Sequence, residues 1–258
     1  MPTSICKEKK ICLAWNTKCG CTHIKQIFFM LRDKLENLMV ENGLPPHSYK
    51  ERSNGWHYPE DNSIYTLFVV MRNPYYRVVS GFLDKYQIGG QFRRLWPEDK
   101  ICSFSNFVDE LIQRNNNFVD PYHFYPQTDS SESFKDPDFK TDSFKEVKVM
   151  DLNNIDYQYL EEKFEFKILE SARKFKGRHT NKTITKKNNA KKLPPDSIPE
   201  NIMNIPVEDF HPHKWIIPYH KFYNLELEQK IKEFFASDFE FALRHGIDYE
   251  KEFQKNKG

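Results

Sequence analysis

Short apolar runs and regular apolar spacings divide this chain into predicted strands and helices. Ile11–Trp15, Tyr65–Met71 and Glu146–Leu152 have the length and the aromatic or β-branched residues of buried strands. Apolar residues also recur three and four positions apart, which is typical of amphipathic helices. The helices predicted in this way cover about 24–38, Tyr75–Tyr86 with Pro74 in its first turn, Phe104–Ile112, Tyr157–Phe164 and Leu225–Leu243. Strands that alternate with helices predict an α/β fold, with a central parallel β-sheet flanked by helices.

Length and composition restrict the class of protein. The chain has 258 residues, which fits a single domain over 1–258. No stretch has the length and apolarity of a membrane-spanning helix, and the N-terminus lacks the apolar core of a signal peptide. We therefore expect a cytoplasmic protein with no membrane partner. In that compartment the five scattered cysteines are thiols. The aromatic residues, 15% of the chain, suit either a packed core or an acceptor site. The candidates for an acceptor site are Trp56, Tyr58, Trp96, Phe124 and Trp215.

Charge is distributed unevenly along the chain. The overall balance is +2, yet residues 173–192 contain nine Lys or Arg and no Asp or Glu. The rest of the chain carries 30 basic and 37 acidic residues, a net charge of −7. A proline-rich stretch follows, and together they predict a lid-like segment at about 171–218. Two interpretations remain open: a solvated loop, or a lid that closes over an anion.

The turn after the first strand has the features of a phosphate site. Lys18 lies in this turn, Gly20 permits close backbone approach, and Thr22 can cap the following helix. Backbone N–H groups at such a helix start attract anions. The turn lacks the two glycines of a Walker A loop, and its cysteines lack the spacing of a redox, zinc or cysteine-phosphatase site. Cys19 and Cys21 equally suit small packing residues beneath the loop.

A second loop follows the second strand. Arg72-Asn73-Pro74-Tyr75-Tyr76-Arg77-Val78-Val79-Ser80 places Arg72 at the carboxyl end of that strand, where α/β sheets bind ligands. The guanidinium of Arg72 can donate two hydrogen bonds to a phosphate. Ser80 lies two turns into the helix and can add a hydroxyl donor. Arg77 points elsewhere by helical phase, which predicts a structural role.

Together the two loops resemble the signature of sulfotransferases that use 3′-phosphoadenosine 5′-phosphosulfate (PAPS). Lys18–Thr22 is similar to their 5′-phosphosulfate loop, K-x-G-x-T, in the form found in membrane-type carbohydrate sulfotransferases. Arg72–Ser80 is similar to their 3′-phosphate motif, R-[DN]-P-x-x-R-x-x-S. Asp120–Gln127 resembles an acceptor-side segment of the family. Thr17 replaces the usual proline, and we expect neither the membrane anchor nor the disulfide frame of the carbohydrate enzymes in this protein.

The resemblance implies a P-loop-kinase-like sulfotransferase fold and PAPS as co-substrate, with no metal. Lys18 would stabilise the leaving phosphate during in-line transfer of the sulfuryl group. The residues implied in cofactor binding are Lys18, Cys19, Gly20, Cys21, Thr22, His23, Arg72, Ser80, Arg178 and Asn181.

An acceptor hydroxyl needs a general base, and histidine suits neutral pH. His123 is the first candidate, because it lies in the acceptor-side segment, and His57 is the second. Either residue equally suits a structural histidine.

The predicted acceptor is a hydroxyl of a sugar or a small molecule. Two other functions fit parts of the sequence: a phosphotransferase related to nucleotide kinases, and a non-enzymatic binder of polyanions or nucleic acid through residues 173–192. The near-neutral charge and the lack of a nucleic-acid-binding motif argue against a nucleic-acid partner. The sequence leaves the oligomeric state open.

Overall fold

The computed structural model describes residues 3–15, 59–86, 90–114, 121–128, 141–165, 198–209 and 217–257. The chain divides into two compact units. The first comprises Met1–Arg72 and Gln127–Thr180, and the second comprises Asn73–Pro126 and Asn181–Gly258. No helix in these described ranges is long and apolar enough to cross a membrane.

The first unit contains a four-stranded sheet in the order β1-β2-β3-β4. The strands are β1 Thr3–Cys6, β2 Ile11–Trp15, β3 Thr66–Met71 and β4 Glu146–Asp151. The three predicted strands are confirmed, and the β2–β3 and β3–β4 pairs are parallel. Every residue of β3 is buried, as expected for a central strand of a parallel sheet. The edge strand β1 was not predicted, and it pairs antiparallel with β2.

One helix of the first unit follows β4 and packs on the sheet. Its bounds, Tyr157–Phe164, are those predicted from the sequence. Asp156 caps its N-terminus by accepting a hydrogen bond from Tyr159 N at 3.0 Å. The Tyr159 ring lies 6.0 Å from that of Phe68 in β3, and its hydroxyl donates to Glu146 Oε1 at 2.7 Å. The parallel strands and this helix confirm the predicted α/β class.

The second unit is helical around an aromatic core. Helices are numbered in chain order, so the helix Tyr157–Phe164 of the first unit is α4. The described helices of the second unit are α1 Pro74–Lys85, α2 Phe104–Arg114, α3 Pro121–Phe124, α5 Leu225–Phe234, α6 Ala236–Arg244 and α7 Tyr249–Lys255. The buried rings include Phe82, Phe104, Phe107, Phe124, Phe222 and Phe253. Edge-to-face and tilted pairs among them have ring centroids about 5–6 Å apart, the preferred aromatic geometry. In this unit, many of the aromatic residues therefore pack in the core.

The prediction of one continuous helix over Leu225–Leu243 is wrong, because the structure has two helices in this range. The first ends at Phe234 and the second begins at Ala236. Phe235 between them is fully buried, and its C=O accepts from Asp238 N at 2.9 Å. Helix α7 was not predicted.

Parts of the predicted organisation lie outside the described residues, including the helix over 24–38 and residues 171–197 of the lid-like segment. The described stretch 198–209 of that segment buries Ile198, Ile202 and Val207. Val207 N donates to Cys102 O at 2.8 Å, just before α2. This part of the segment therefore packs within the second unit.

Candidate active site

The structure describes three of the residues implied in the site. Arg72 belongs to the first unit, whereas Ser80 and His123 belong to the second. The predicted phosphosulfate loop, Lys18–Thr22, lies outside the described residues, and so do His23, His57, Arg178 and Asn181.

Arg72 lies at the carboxyl end of β3, as predicted. The strand ends at Met71, and Leu152 N, just beyond β4, donates to Met71 O at 2.8 Å. Arg72 itself is half-buried, and its Nε atom is buried. A guanidinium at the carboxyl edge of a parallel sheet suits an anionic ligand.

The backbone of Arg72 is held by the side chain of Gln127. Arg72 N donates to Gln127 Oε1 at 2.9 Å, and Gln127 Nε2 donates to Arg72 O at 2.9 Å. Gln127 is fully buried. Sequence analysis did not predict this contact, because the two residues are 55 positions apart. The one available signal was that Gln127 ends the acceptor-side segment Asp120–Gln127.

Asn73 caps helix α1 and also holds the C-terminal helix. Its Oδ1 accepts from Tyr75 N at 3.2 Å, which satisfies a free N–H of the first turn. Its Nδ2 donates to Tyr249 O and to Glu252 Oε2, both at 2.9 Å. The side chain is fully buried, so each of these partners matters to stability. Asparagine suits this position because it both accepts and donates.

Replacement of Asn73 by aspartate tests that explanation. Aspartate caps a helix well, but it cannot donate to Tyr249 O and it places a second carboxylate beside Glu252. We expect Asn73→Asp to lower the free energy of unfolding by about 1–3 kcal/mol at neutral pH, measured by urea denaturation. Adding Glu252→Gln supplies an amide donor and should restore part of the loss. An unchanged urea midpoint in Asn73→Asp would show that these contacts contribute little.

Arg77 is structural, as its helical phase predicted. The side chain is fully buried, and its Nη1 donates to Tyr125 O at 2.6 Å. Ser80, one turn later, is only half-buried. Of the motif, Asn73 and Arg77 therefore support the fold, whereas Arg72 and Ser80 are only half-buried.

His123 lies on the short helix α3, which packs closely against α1. A β-carbon built on Gly81 would lie 2.4 Å from Phe124 Cε1, so only glycine allows this approach. The bond from Arg77 to Tyr125 O fixes the chain on the other side of Phe124. His123 is half-buried, with its ring centroid 6.5 Å from that of Phe124. The helices carrying Ser80 and His123 are thus direct neighbours.

Several aromatic residues were candidates for an acceptor site. Phe124 is fully buried, and Trp96 is buried with its Nε1 donating to Lys100 O at 2.8 Å. Both therefore belong to the core. The other candidates, Trp56, Tyr58 and Trp215, lie outside the described residues.

Cys12 and Cys102 are buried thiols with low reactivity. Burial raises the pKa of the Cys12 thiol to about 12 and that of Cys102 to about 11. Both stay protonated at neutral pH, and a protonated thiol is a poor nucleophile. Within the part of the chain that the structure describes, no group of His, Cys, Asp or Glu side chains has an arrangement that could hold a metal.

Comparison with known proteins gives a match over most of the chain. A family model described as the sulfotransferase family matches residues 2–212. That range includes both phosphate loops and the segment carrying His123. No curated protein and no solved structure matched the chain.

Proposed function

The chain belongs to the sulfotransferase family, and from that premise we propose that it transfers the sulfuryl group of PAPS to a hydroxyl of a sugar or a small molecule. The observation that carries the proposal is the R-N-P-x-x-R-x-x-S motif. Its structural residues are buried, and its two ligand-binding candidates, Arg72 and Ser80, are only half-buried. A motif that served packing alone would not require an arginine at the carboxyl end of a strand, where α/β sheets bind ligands.

For the 3′-phosphate of PAPS, the motif proposes Arg72 and Ser80 as ligand-binding residues. Arg72 offers paired N–H donors from a backbone that Gln127 holds in place. Ser80 adds a hydroxyl on a helix whose N-terminus Asn73 caps. Lys18 and the backbone of Cys19–Thr22 would bind the 5′-phosphosulfate, and His23, Arg178 and Asn181 complete the proposed cofactor set.

In the proposed reaction, the acceptor oxygen forms a bond to sulfur as the bond from sulfur to the phosphate oxygen breaks. The products are the sulfate ester and 3′-phosphoadenosine 5′-phosphate. Lys18 stabilises the negative charge that develops on the leaving phosphate. His123, or else His57, takes the proton of the acceptor hydroxyl. The positive charge that transfer needs comes from lysine and arginine, so we propose no metal.

Ligand binding tests the proposal without knowledge of the acceptor. At 100-fold excess over Kd, 3′-phosphoadenosine 5′-phosphate should stabilise the protein by about 2.7 kcal/mol and raise Tm by about 5–10 °C. AMP lacks the 3′-phosphate that Arg72 is proposed to bind, and ATP lacks it too. At the same concentration we expect AMP and ATP to give less than half of this shift.

The same experiment separates the competing functions. Each ligand is measured in EDTA, and ATP is measured again with Mg²⁺. The largest shift from ATP with Mg²⁺ would indicate a kinase-like phosphotransferase. Equal shifts from all three nucleotides would contradict the sulfotransferase proposal and favour a general polyanion binder.

A further inference from the structure

The side-chain amide of Gln127 occupies the place of a neighbouring strand at the end of β3. Its Oε1 accepts from Arg72 N, and its Nε2 donates to Arg72 O, each at 2.9 Å. A carboxamide has the same planar donor and acceptor as a peptide group, so it can continue a ladder for one residue. Gln127 is fully buried, which keeps water from competing for these two bonds.

The register of the sheet shows why Arg72 needs this partner. The last pair between β2 and β3 joins Trp15 and Val70, and Met71 pairs with Asp151 in β4. Arg72 therefore lies two residues beyond the β2–β3 ladder and one residue beyond the β3–β4 ladder. Gln127 binds both of its backbone polar groups at this position.

Fixing the backbone of Arg72 also fixes the direction in which its side chain leaves the sheet, because backbone dihedral angles restrict the allowed rotamers. Charged hydrogen bonds to phosphate depend on such placement. We propose that Gln127 is a positioning residue that aims Arg72 at the 3′-phosphate and so sets the preference for 3′-phosphorylated nucleotides. This inference rests on the proposed function of Arg72.

The chemistry of the contact selects the test variants. Gln127→Glu keeps the size and the acceptor for Arg72 N but removes the donor to Arg72 O. Gln127→Met keeps the approximate volume and removes both bonds. Gln158→Met is the matched control, since Gln158 lies exposed on α4 in the same unit and donates to Glu162.

The measurement is the Kd of 3′-phosphoadenosine 5′-phosphate and of AMP, by calorimetry, for each variant and for Arg72→Ala. We expect both Gln127 variants to lower the preference for the 3′-phosphorylated nucleotide by about tenfold, the equivalent of one hydrogen bond. AMP affinity should stay within about threefold of the native value, because AMP offers Arg72 no 3′-phosphate. Combining Gln127→Glu with Arg72→Ala should lower the preference no further than Arg72→Ala alone.

The outcomes distinguish the inference from the function on which it rests. A native protein that binds both nucleotides equally contradicts the proposed function itself. A native preference that is lost in Arg72→Ala but kept in Gln127→Glu overturns the inference alone. Equal weakening of both nucleotides in the Gln127 variants shows a merely structural role and also overturns it. If Gln127→Met fails to fold, the more conservative Gln127→Glu gives the same readout.

Discussion

Replacing Lys18 by alanine is expected to slow the turnover of PAPS by about 10²–10³-fold, the usual cost of removing one group that stabilises charge in the transition state. In the proposed mechanism the Lys18 ammonium contacts the oxygen that becomes negative as sulfur departs. Its contribution is larger in the transition state than in the bound complex, so kcat falls more than nucleotide affinity. The assay measures release of 3′-phosphoadenosine 5′-phosphate from PAPS by chromatography, with and without a mixture of hydroxyl acceptors.

Two further variants control this measurement. Lys7→Ala removes an exposed lysine from the turn between β1 and β2 and should leave turnover unchanged. Lys18→Arg keeps the charge but spreads it over a planar group, so we expect only partial recovery. Full activity in Lys18→Ala would refute the assigned role. A loss of turnover matched by an equal loss of nucleotide binding would make Lys18 a binding residue instead.

Strands β2 and β3 could be predicted because burial on both faces leaves continuous apolar runs. Thr66–Met71 is buried throughout and stood out for that reason. Thr3–Cys6 has only four residues, too few to show a pattern, and its pairing with β2 depends on the turn between them. That turn places Lys10 at φ 54°, a conformation that no local preference for lysine predicts.

The break between α5 and α6 escaped prediction for a different reason. Ile231, Phe235 and Phe239 are four residues apart, and all three are buried. The apolar face therefore continues through the break, and periodicity alone reports one helix.

Within the candidate site, the motif supplied the candidate residues, and helical phase separated the buried Arg77 from the half-buried Ser80. Helical phase predicts the different burial of these two residues because both lie on one regular helix. The bonds from Gln127 to Arg72 and from Asn73 to Tyr249 join residues 55 and 176 positions apart. Only the folded chain brings such residues together, and no local pattern in the sequence reports side chains that bind a distant backbone.

Replacement of the general base is expected to cause the second large loss of activity. His123 lies on a helix whose position is held by two contacts. The Phe124 ring packs closely against Gly81, and Arg77 donates a hydrogen bond to Tyr125 O. A base must be held within hydrogen-bonding reach of the hydroxyl it deprotonates, so this anchoring supports His123. We expect His123→Ala to lower kcat/KM for acceptor sulfation by about 10²–10⁴-fold and to leave the Kd of 3′-phosphoadenosine 5′-phosphate unchanged.

The experiment compares His123→Ala with His57→Ala, and with His245→Ala as a control, since His245 is exposed in the second unit. The acceptor is first found by screening sugars and small hydroxyl compounds for label transferred from PAPS. A base must be deprotonated to act, so kcat/KM of the native enzyme rises with pH on its acidic side, and the variant that lacks the base loses this rise. Loss of the rise in His57→Ala alone would transfer the role to His57. If neither variant loses more than about tenfold, neither histidine is the base, because a positioned base contributes about 10²-fold or more.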